Sequence, residues 1–242
     1  MKQCNTTYTE QLNQFGFSIV NNIFTENEIN EILNYISNNN FEKKFGIRYF
    51  LKKHEQLTSL IFTKPLKSII QKISKKAFVV KSIYFDKPPN ANWIVNWHQD
   101  LTINVTGSTL ETDYRKWRKT KDRIAVQPPL DILEEIFTIR IHLDDCTVKN
   151  GALRVIPESH LEGIFENQQI SEKIRQPEKV CEVKKGGILL MKPLLLHASK
   201  RVENHKNRRV IHIEFSSKSL AKGLSWLEKI DLTGFQKPVR SD

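Results

Sequence analysis

The sequence predicts a mainly β fold, a double-sheet jelly roll flanked on its N-terminal side by α-helices. Three observations carry this expectation. From Phe78 onward the chain breaks into short runs rich in β-branched and aromatic residues. Turn chemistry separates the runs, at Lys87-Pro88-Pro89-Asn90, Lys149-Asn150-Gly151 and Lys185-Gly186-Gly187. No helical periodicity alternates with them, as a parallel α/β sheet would require.

The elements follow in order. Phe15-Gly16-Phe17-Ser18-Ile19-Val20 reads as a short strand. Thr25-Glu26-Asn27-Glu28 is a capping box that opens a helix running to about Asn38, with Ile29, Ile32, Leu33 and Ile36 at helical spacing. A second amphipathic stretch spans residues 57–74, where Leu60, Ile61, Ile69, Ile70 and Ile73 recur and Pro65 must break or begin a piece. Strands are expected over 78–85, 93–98, 136–143, 152–156, 187–191 and 209–215, placing a jelly-roll core at about 78–216 within one domain of residues 1–242. The charged stretch between Asp100 and Gln127 is long for a plain connection, and its place directly after the 93–98 strand predicts a lid loop over 101–128. Residues 217–242, with Trp226, Leu227 and Phe235, read as a packing or interface segment.

Composition bounds the class. With 242 residues, 39% of them hydrophobic, and 13 Phe, the chain can build a real core, which excludes wholesale disorder. The formal charge of +11 invites a nucleic-acid surface, but the lysines are scattered through helical stretches rather than gathered around aromatic repeats. That scatter argues against specific nucleic-acid binding, while the same excess draws anionic small molecules such as 2-oxo acids or acyl phosphates. The three cysteines, Cys4, Cys146 and Cys181, form no CxxC pair. No apolar run approaches the roughly 20 residues of a membrane span, and the first residues lack a signal peptide's apolar centre. The expectation is a soluble cytoplasmic protein without a membrane partner.

Trp97-His98-Gln99-Asp100 carries the chemistry. A His and a carboxylate two apart on an extended strand point to the same side. A second His from a distant strand would complete two imidazoles and one carboxylate, the set that leaves open positions on a non-haem Fe(II). His197, at the end of the apolar run 187–196, is the candidate. His54, His160 and His205 read as satisfied surface or core residues. Eleven residues after His197 stands Arg208, brought back by the polar turn 200–207; its planar fork suits a carboxylate, and the Ser199 hydroxyl can assist. Arg208 and Arg209 must face opposite sides of a strand, and spacing does not choose between them. Arg140 and His142 share one strand face, either lining the interior as substrate readers or lying solvated outside. Lys87 and Gln127 are further candidates for co-substrate or substrate contact. Asp144-Asp145 and Asn150-Gly151 are tempting as a second metal or acid/base site, but turn chemistry already explains them.

These segments resemble the phytanoyl-CoA dioxygenase family of Fe(II)- and 2-oxoglutarate-dependent oxygenases. The likeness runs through Tyr84-Phe85-Asp86-Lys87-Pro88-Pro89, Asn92-Trp93, Trp97-His98-Gln99-Asp100-Leu101 and Leu143-Asp144-Asp145-Cys146. It continues through Asn150-Gly151-Ala152-Leu153, Ile156-Pro157-Glu158-Ser159-His160, His197-Ala198-Ser199 and Arg208-Arg209, in the family's order. The resemblance implies a double-stranded β-helix, cupin-like in its core, with Fe(II) held by His98, Asp100 and His197. It assigns the far carboxylate of 2-oxoglutarate to Arg208, with Ser199 assisting, and so settles Arg208 over Arg209. It further implies dioxygen as co-substrate, succinate and CO2 as co-products, and hydroxylation of a small molecule; desaturation and ring formation use related sites. Halogenation is disfavoured, because Asp100 occupies the position a halide would need. Ala198 stands where relatives carry Gly; its one extra methyl is expected to be tolerated, the alternative being a narrower co-substrate pocket. Two rivals remain in view: a catalytically silent jelly-roll ligand-binding protein, which would not bind iron, and a nucleic-acid-associated oxygenase, which would bind DNA or RNA with steep salt dependence.

Overall fold

The computed structural model describes residues 6–41, 46–87, 94–201 and 207–232. The turn residues 88–90, Asn92, Trp93, Cys4, His205 and Phe235, together with most of the 200–207 turn, lie outside them. Helix α1 (Tyr8–Phe15) leads into strand β1 (Phe17–Val20), and α2 (Glu26–Asn38), β2 (Gly46–Arg48), α3 (Phe50–Lys53), α4 (Gln56–Ile61) and α5 (Lys64–Ile73) follow. Next come β3 (Phe78–Lys87), β4 (Val95–His98), β5 (Ile103–Gly107), β6 (Arg115–Lys119), β7 (Ile124–Gln127), α6 (Leu130–Glu135), β8 (Phe137–His142) and β9 (Leu153–Val155). The chain continues through α7 (Asn167–Lys173), β10 (Lys179–Cys181), β11 (Ile188–Met191), β12 (His197–Ser199), β13 (Arg208–Ser216), β14 (Leu224–Trp226) and β15 (Ile230–Asp231).

Among the described residues the strands form three antiparallel sheets. The major sheet runs β1-β11-β8-β13-β3-β15 with β2 also on β3, the minor sheet runs β10-β9-β12-β4, and a third runs β14-β5-β7-β6. The first two are the facing sheets of the expected jelly roll. The major sheet reaches outside residues 78–216, drawing β1 onto β11 and β15 onto β3.

Period-two alternation gives the major sheet two different faces. Outward go Tyr84, Phe137, Ile139, Ile141, Ile211, Ile213 and Phe215, all buried against Ile29, Ile32 and Ile36 of α2 and the apolar sides of α4 and α5. Inward go Arg140 on β8, Lys81, Ile83 and Phe85 on β3, and Arg208, His212 and Glu214 on β13. The helices therefore close one side of the sheet, and the other is left to line a site.

The capping box at Thr25 forms as expected, with the Glu28 N–H donating to Thr25 Oγ1 at 3.2 Å and the Thr25 N–H to Glu28 Oε2 at 2.8 Å. Pro65 begins α5 in its first turn, where its missing N–H costs nothing, so the 57–74 stretch is two helices. Phe15 and Gly16 are not strand: they end α1, whose own box pairs Thr7 with Glu10 and whose cap is Gly16 in the left-handed region.

Residues 101–128 are not a plain loop. Ile103 and Val105 of β5 and Val126 of β7 bury one side of a hairpin sheet, and Leu224 and Trp226 of β14 complete that core from about a hundred residues away in sequence. The outer strand β6 is fully exposed and carries Arg115, Lys116, Arg118 and Lys119, cations of the kind that blunt an open sheet edge. The C-terminal stretch is thus a packing segment as far as it is described. Beyond β14, the buried Glu228 carboxylate accepts the Ser82 N–H at 2.8 Å, tying it to β3. Among the described residues no helix is long and apolar enough to cross a membrane.

Removing the Ile139 side chain, fully buried between sheet and helices, should cost about 2–5 kcal/mol through lost burial and the cavity left behind. A urea-unfolding midpoint for Ile139→Ala equal to the parent's would refute this placement of the core.

Candidate active site

The site begins with strand pairing. β12 lies antiparallel between β9 and β4, and its register sets His197 directly across from His98. Asp100 follows just past β4, its N–H donating to the Pro193 carbonyl at 2.8 Å. Between them Gln99 turns away and anchors the strand: its Nε2 donates to the carbonyls of Gly163 and Leu194, both at 2.7 Å, and its Oε1 accepts the Phe165 N–H at 2.8 Å. The alternation that points His98 and Asp100 inward is therefore clamped by the residue between them.

The two imidazoles lie 4.2 Å apart, centroid to centroid. His98 Nε2 stands 3.8 Å from Asp100 Oδ1 and His197 Nε2 3.6 Å from Asp100 Oδ2, and one ligand atom from each residue lies within 4.8 Å of the others. Each Nδ1 faces a carbonyl oxygen at 2.8 Å, that of Asn96 for His98 and that of Leu195 for His197. An Nδ1 in that position must carry the proton, which leaves the Nε2 lone pair for a metal. Burial pushes the His197 ring down to about 4 despite Asp100. Burial would raise Asp100, but His197, His212 and Lys81 outweigh it and hold the carboxyl well below the usual carboxylate range. Two neutral imidazoles and one carboxylate are the protonation states metal binding needs.

These groups open into a cavity of about 280 Å³ between the two sheets, walled opposite by the polar face of the major sheet. Arg140 donates to His212 Nδ1 at 3.1 Å, His212 Nε2 in turn reaches Glu214 at 3.1 Å, and Lys81 completes the row at 2.8 Å from Glu214. At the other end sit Arg208 and Ser199. Arg208 donates to the Gly151 carbonyl. Gly151 is left-handed at φ 78°, and a Cβ there would come within 2.8 Å of the Lys200 carbonyl, so the Asn150-Gly151 turn serves to seat Arg208. Burial and Arg208 together push Lys87 down to about 8 and Arg140 down to about 10, and burial holds His142 well below its usual range.

The residues fit the groups such a site requires. Ser199 Oγ, Arg208 Nε and Arg140 Nε are buried without hydrogen-bond partners beside the triad. A carboxylate held there satisfies donors that are otherwise costly to bury. A second set, Asp100, His212 and Glu214, also brings ligand atoms within 4.8 Å. Its members are already engaged by Lys81 and Arg140, which marks them as a wall rather than a metal centre.

The structure brings His98, Asp100, His197, Ser199, Arg208 and Arg140 to one cavity. Lys87 is fully buried behind it, beside Arg208 in the β3–β13 register, with its ammonium donating to the Lys200 carbonyl at 2.9 Å. His142 is buried inward of Arg140, its ring nitrogens unpartnered, and Gln127 sits on β7 of the hairpin sheet; neither lines the cavity. Ala198 does not narrow the pocket, since alternation turns its methyl away from the side shared by His197 and Ser199. Arg209 faces outward and takes Asp144 with both prongs, at 2.9 and 2.6 Å, while the Asp145 side chain accepts the Lys185 N–H. Sequence reasoning missed Lys81, His212 and Glu214. The signal was the period-two run Arg208, Val210, His212, Glu214, continuing along the face Arg208 already marked.

The model for the phytanoyl-CoA dioxygenase (PhyH) family matches residues 12–210, and the chain belongs to that family. It is a member of the non-haem Fe(II)/2-oxoglutarate dioxygenases, with His98, Asp100 and His197 as its candidate iron site. Among curated proteins none matches. Solved structures share the fold at low identity. The 2-oxoglutarate-dependent carbocyclase SnoK from nogalamycin biosynthesis is 16% identical with a TM-score of 0.65, over 87% of this chain and 84% of that one. The epimerase SnoN from the same biosynthesis is 11% identical with a TM-score of 0.67, over 97% of both chains. EctD from S. alaskensis, solved with 2-oxoglutarate and 5-hydroxyectoine, is 14% identical with a TM-score of 0.65, over 90% of this chain and 78% of that one.

The two adjacent arginines should separate cleanly. Asp144→Ala or Arg209→Ala should lower stability by about 1–3 kcal/mol, as breaking a charge-assisted pair does, and leave 2-oxoglutarate affinity unchanged. Arg208→Ala should weaken that affinity at least tenfold in a calorimetric titration of the iron-loaded protein. Equal effects on affinity from Arg208 and Arg209 would contradict the opposed faces of β13.

Proposed function

We propose that the protein couples decarboxylation of 2-oxoglutarate to hydroxylation of a small-molecule substrate, releasing succinate and CO2. One observation carries this reading: three ligand atoms within 4.8 Å of one another open into the same cavity as the buried, partly unsatisfied Arg140, Arg208 and Ser199. His98, Asp100 and His197 would hold Fe(II), and Arg208 with Ser199 the far carboxylate of 2-oxoglutarate. Once bound, these groups supply the oxygen-activating chemistry.

The chain's own residues do the rest. The Asn96 and Leu195 carbonyls keep both imidazoles in the tautomer that presents Nε2. Asp100 stays ionised, offering a charged ligand at the position a halide would otherwise take. Arg140, His212, Glu214 and Lys81 form a fixed row of donors and acceptors facing the triad, which supports their use in orienting the substrate's reacting carbon. Lys87, beside Arg208, adds positive charge behind the co-substrate. The EctD complex with 5-hydroxyectoine supports hydroxylation as the outcome, while SnoK and SnoN mark ring formation and epimerisation as outcomes of the same architecture to be scored alongside it. A silent ligand-binding module has no use for an intact triad or for buried arginines with unsatisfied donors beside it.

Anaerobic titration of the metal-free protein with Fe(II) and 2-oxoglutarate should develop the visible charge-transfer band of a chelated 2-oxo acid. His98→Ala, Asp100→Ala and His197→Ala should each abolish it, together with succinate formation. Iron binding with no band in the parent protein would defeat the reading.

A pH series tests Lys87. Its proton is lost near pH 8 rather than near its ordinary value of 10.5, so the positive charge behind the co-substrate declines as pH rises through 8. The affinity for 2-oxoglutarate should fall over that interval, and Lys87→Met should bind more weakly at pH 7 and show a flat profile from pH 7 to 9. A parent profile that is equally flat would remove Lys87 from co-substrate binding.

A further inference from the structure

A second cavity, of about 570 Å³, adjoins the iron-site cavity; Arg48 lines both. Its other walls are Tyr49, Lys53, Thr120, Asp122 and Arg123. These come from β2, from the short helix after it, and from the turn joining β6 to β7, where the Thr120 N–H donates to the Arg123 carbonyl at 2.8 Å. The folding of the hairpin sheet against β2 thus assembles three cations beside the mouth of the oxygenase site.

Some surface cations have a carboxylate partner, as Lys185 has Glu26, Lys218 has Asp131, Lys173 has Glu162 and Arg154 has Glu178. Among the described residues Arg48, Lys53 and Arg123 make no ion pair, although Asp122 lies in the same wall. Burial and the nearby charge of Arg123 both lower the proton affinity of Arg48. Like charges so placed repel, and the more distant Glu214 and Asp100 offset this only in part, since the net effect on Arg48 is still a lowering. The hydroxyl of Tyr49 is buried without a partner in the same wall, and Tyr49 itself sits in the left-handed region at φ 58°. A bulky residue held there costs on the order of 1–3 kcal/mol, a strain that collects at ligand sites. Lys53 Nζ stands 5.6 Å from the Tyr49 ring centroid, holding ring and ammonium on one side. Two guanidinium forks, an ammonium and a phenol make a donor set for an oxyanion with several oxygens and more than one charge.

We propose that this cavity binds the phosphate group of a phosphorylated small-molecule substrate, holding it while the rest of the molecule reaches past Arg48 to the iron site. The inference rests on the oxygenase reading and adds the substrate class. The adjacent strand β6 extends the positive field with Arg115, Lys116, Arg118 and Lys119, and with Trp117, which is 44% exposed. Such a field concentrates anions at the mouth and speeds their arrival. The cavity size argues for a compact phosphate ester. A larger phosphorylated carrier such as a coenzyme A thioester shares the phosphate chemistry and would also use β6.

The test titrates the protein loaded with Fe(II) and 2-oxoglutarate, under anaerobic conditions, with sub-millimolar inorganic phosphate and then with glycerol 3-phosphate, glycerol and coenzyme A. Calorimetry reads binding, and the charge-transfer band reports the iron site. One phosphate per protein is expected, weakened at least tenfold in Arg123→Gln and in Arg48→Gln, unchanged in Lys75→Gln, with the band intact in all of them. Glycerol 3-phosphate should compete with phosphate where glycerol does not. Tighter binding of coenzyme A, reduced by Arg118→Gln, would assign the phosphate to a carrier; equal or weaker binding would assign it to a simple ester. Absence of phosphate binding in a protein that shows the band would overturn the subsite and leave the oxygenase reading standing, as would binding that ignores both arginine variants. Absence of the band in the parent protein would overturn the oxygenase reading instead. A short single-stranded oligonucleotide that binds more tightly than every small phosphate, with steep salt dependence, would overturn the small-molecule assignment.

Discussion

The alternation of side chains along β13 is the constraint on which this molecule is built. Its odd positions, Arg209, Ile211, Ile213 and Phe215, face the helices, and its even positions, Arg208, His212 and Glu214, face the iron site. A slip of one residue in the pairing with β3 or β8 would bury Arg208, His212 and Glu214 against α2 and expose the core to the cavity. The hydrophobic cost of that slip is what fixes the register, so the helical layer, which touches no catalytic group, nevertheless holds the catalytic wall in place. The same rule on the facing sheet makes Gln99 an anchor because His98 and Asp100, the candidate ligands, take the inward positions.

The interior that results is rich in charge. Lys87, Arg140 and Arg208 are buried and Lys81 is half-buried on the inner face of the major sheet, against the carboxylates of Asp100 and Glu214. Glu214 is matched by Lys81. Among the described residues Arg140 and Arg208, the guanidinium groups of the same cavity as Ser199, make no ion pair and leave their Nε atoms buried without a partner. Burying unmatched charge costs several kcal/mol, which the apolar face of the same sheet has to offset. A co-substrate carrying two carboxylates restores the balance, and burial together with the Arg208 charge already lowers the proton affinity of Lys87 and Arg140.

The parts of this arrangement legible in the sequence are those that period and spacing determine. His98 and Asp100 needed only a strand and Thr25 and Glu28 only a helix start, whereas spacing left Arg208 and Arg209 open and the family resemblance chose Arg208. The hairpin sheet was not legible, because part of its core, Leu224 and Trp226, comes from the far end of the chain, and its outer strand β6 is wholly exposed. Helix α1 carried its signal in Thr7 and Glu10, but the apolar residues beginning at Phe15 masked where it stops. Ala198 was legible as an identity but not as a face, because the face it takes depends on a pairing that single residues do not announce.

The two ends of the active site differ in the same way, for a chemical reason. Iron and 2-oxoglutarate impose their ligand set, so the residues that serve them sit on paired strands of the two facing sheets, at separations measured in twos. A substrate imposes nothing on the chain except that its groups be met somewhere near the mouth. Arg48, Lys53 and Arg123 answer from an edge strand, a one-turn helix and a hairpin turn, segments joined only by tertiary contact. The hairpin turn can be re-lengthened and re-charged without disturbing β13 or its register, since its sheet packs around Val80, Tyr114 and Trp226, apart from the cluster in which Phe50 and Leu51 of α3 join Ile211 and Ile213. A fold divided in this manner can keep its oxygen chemistry while changing what it oxidises, and the proposed phosphate subsite draws on the segment freest to change.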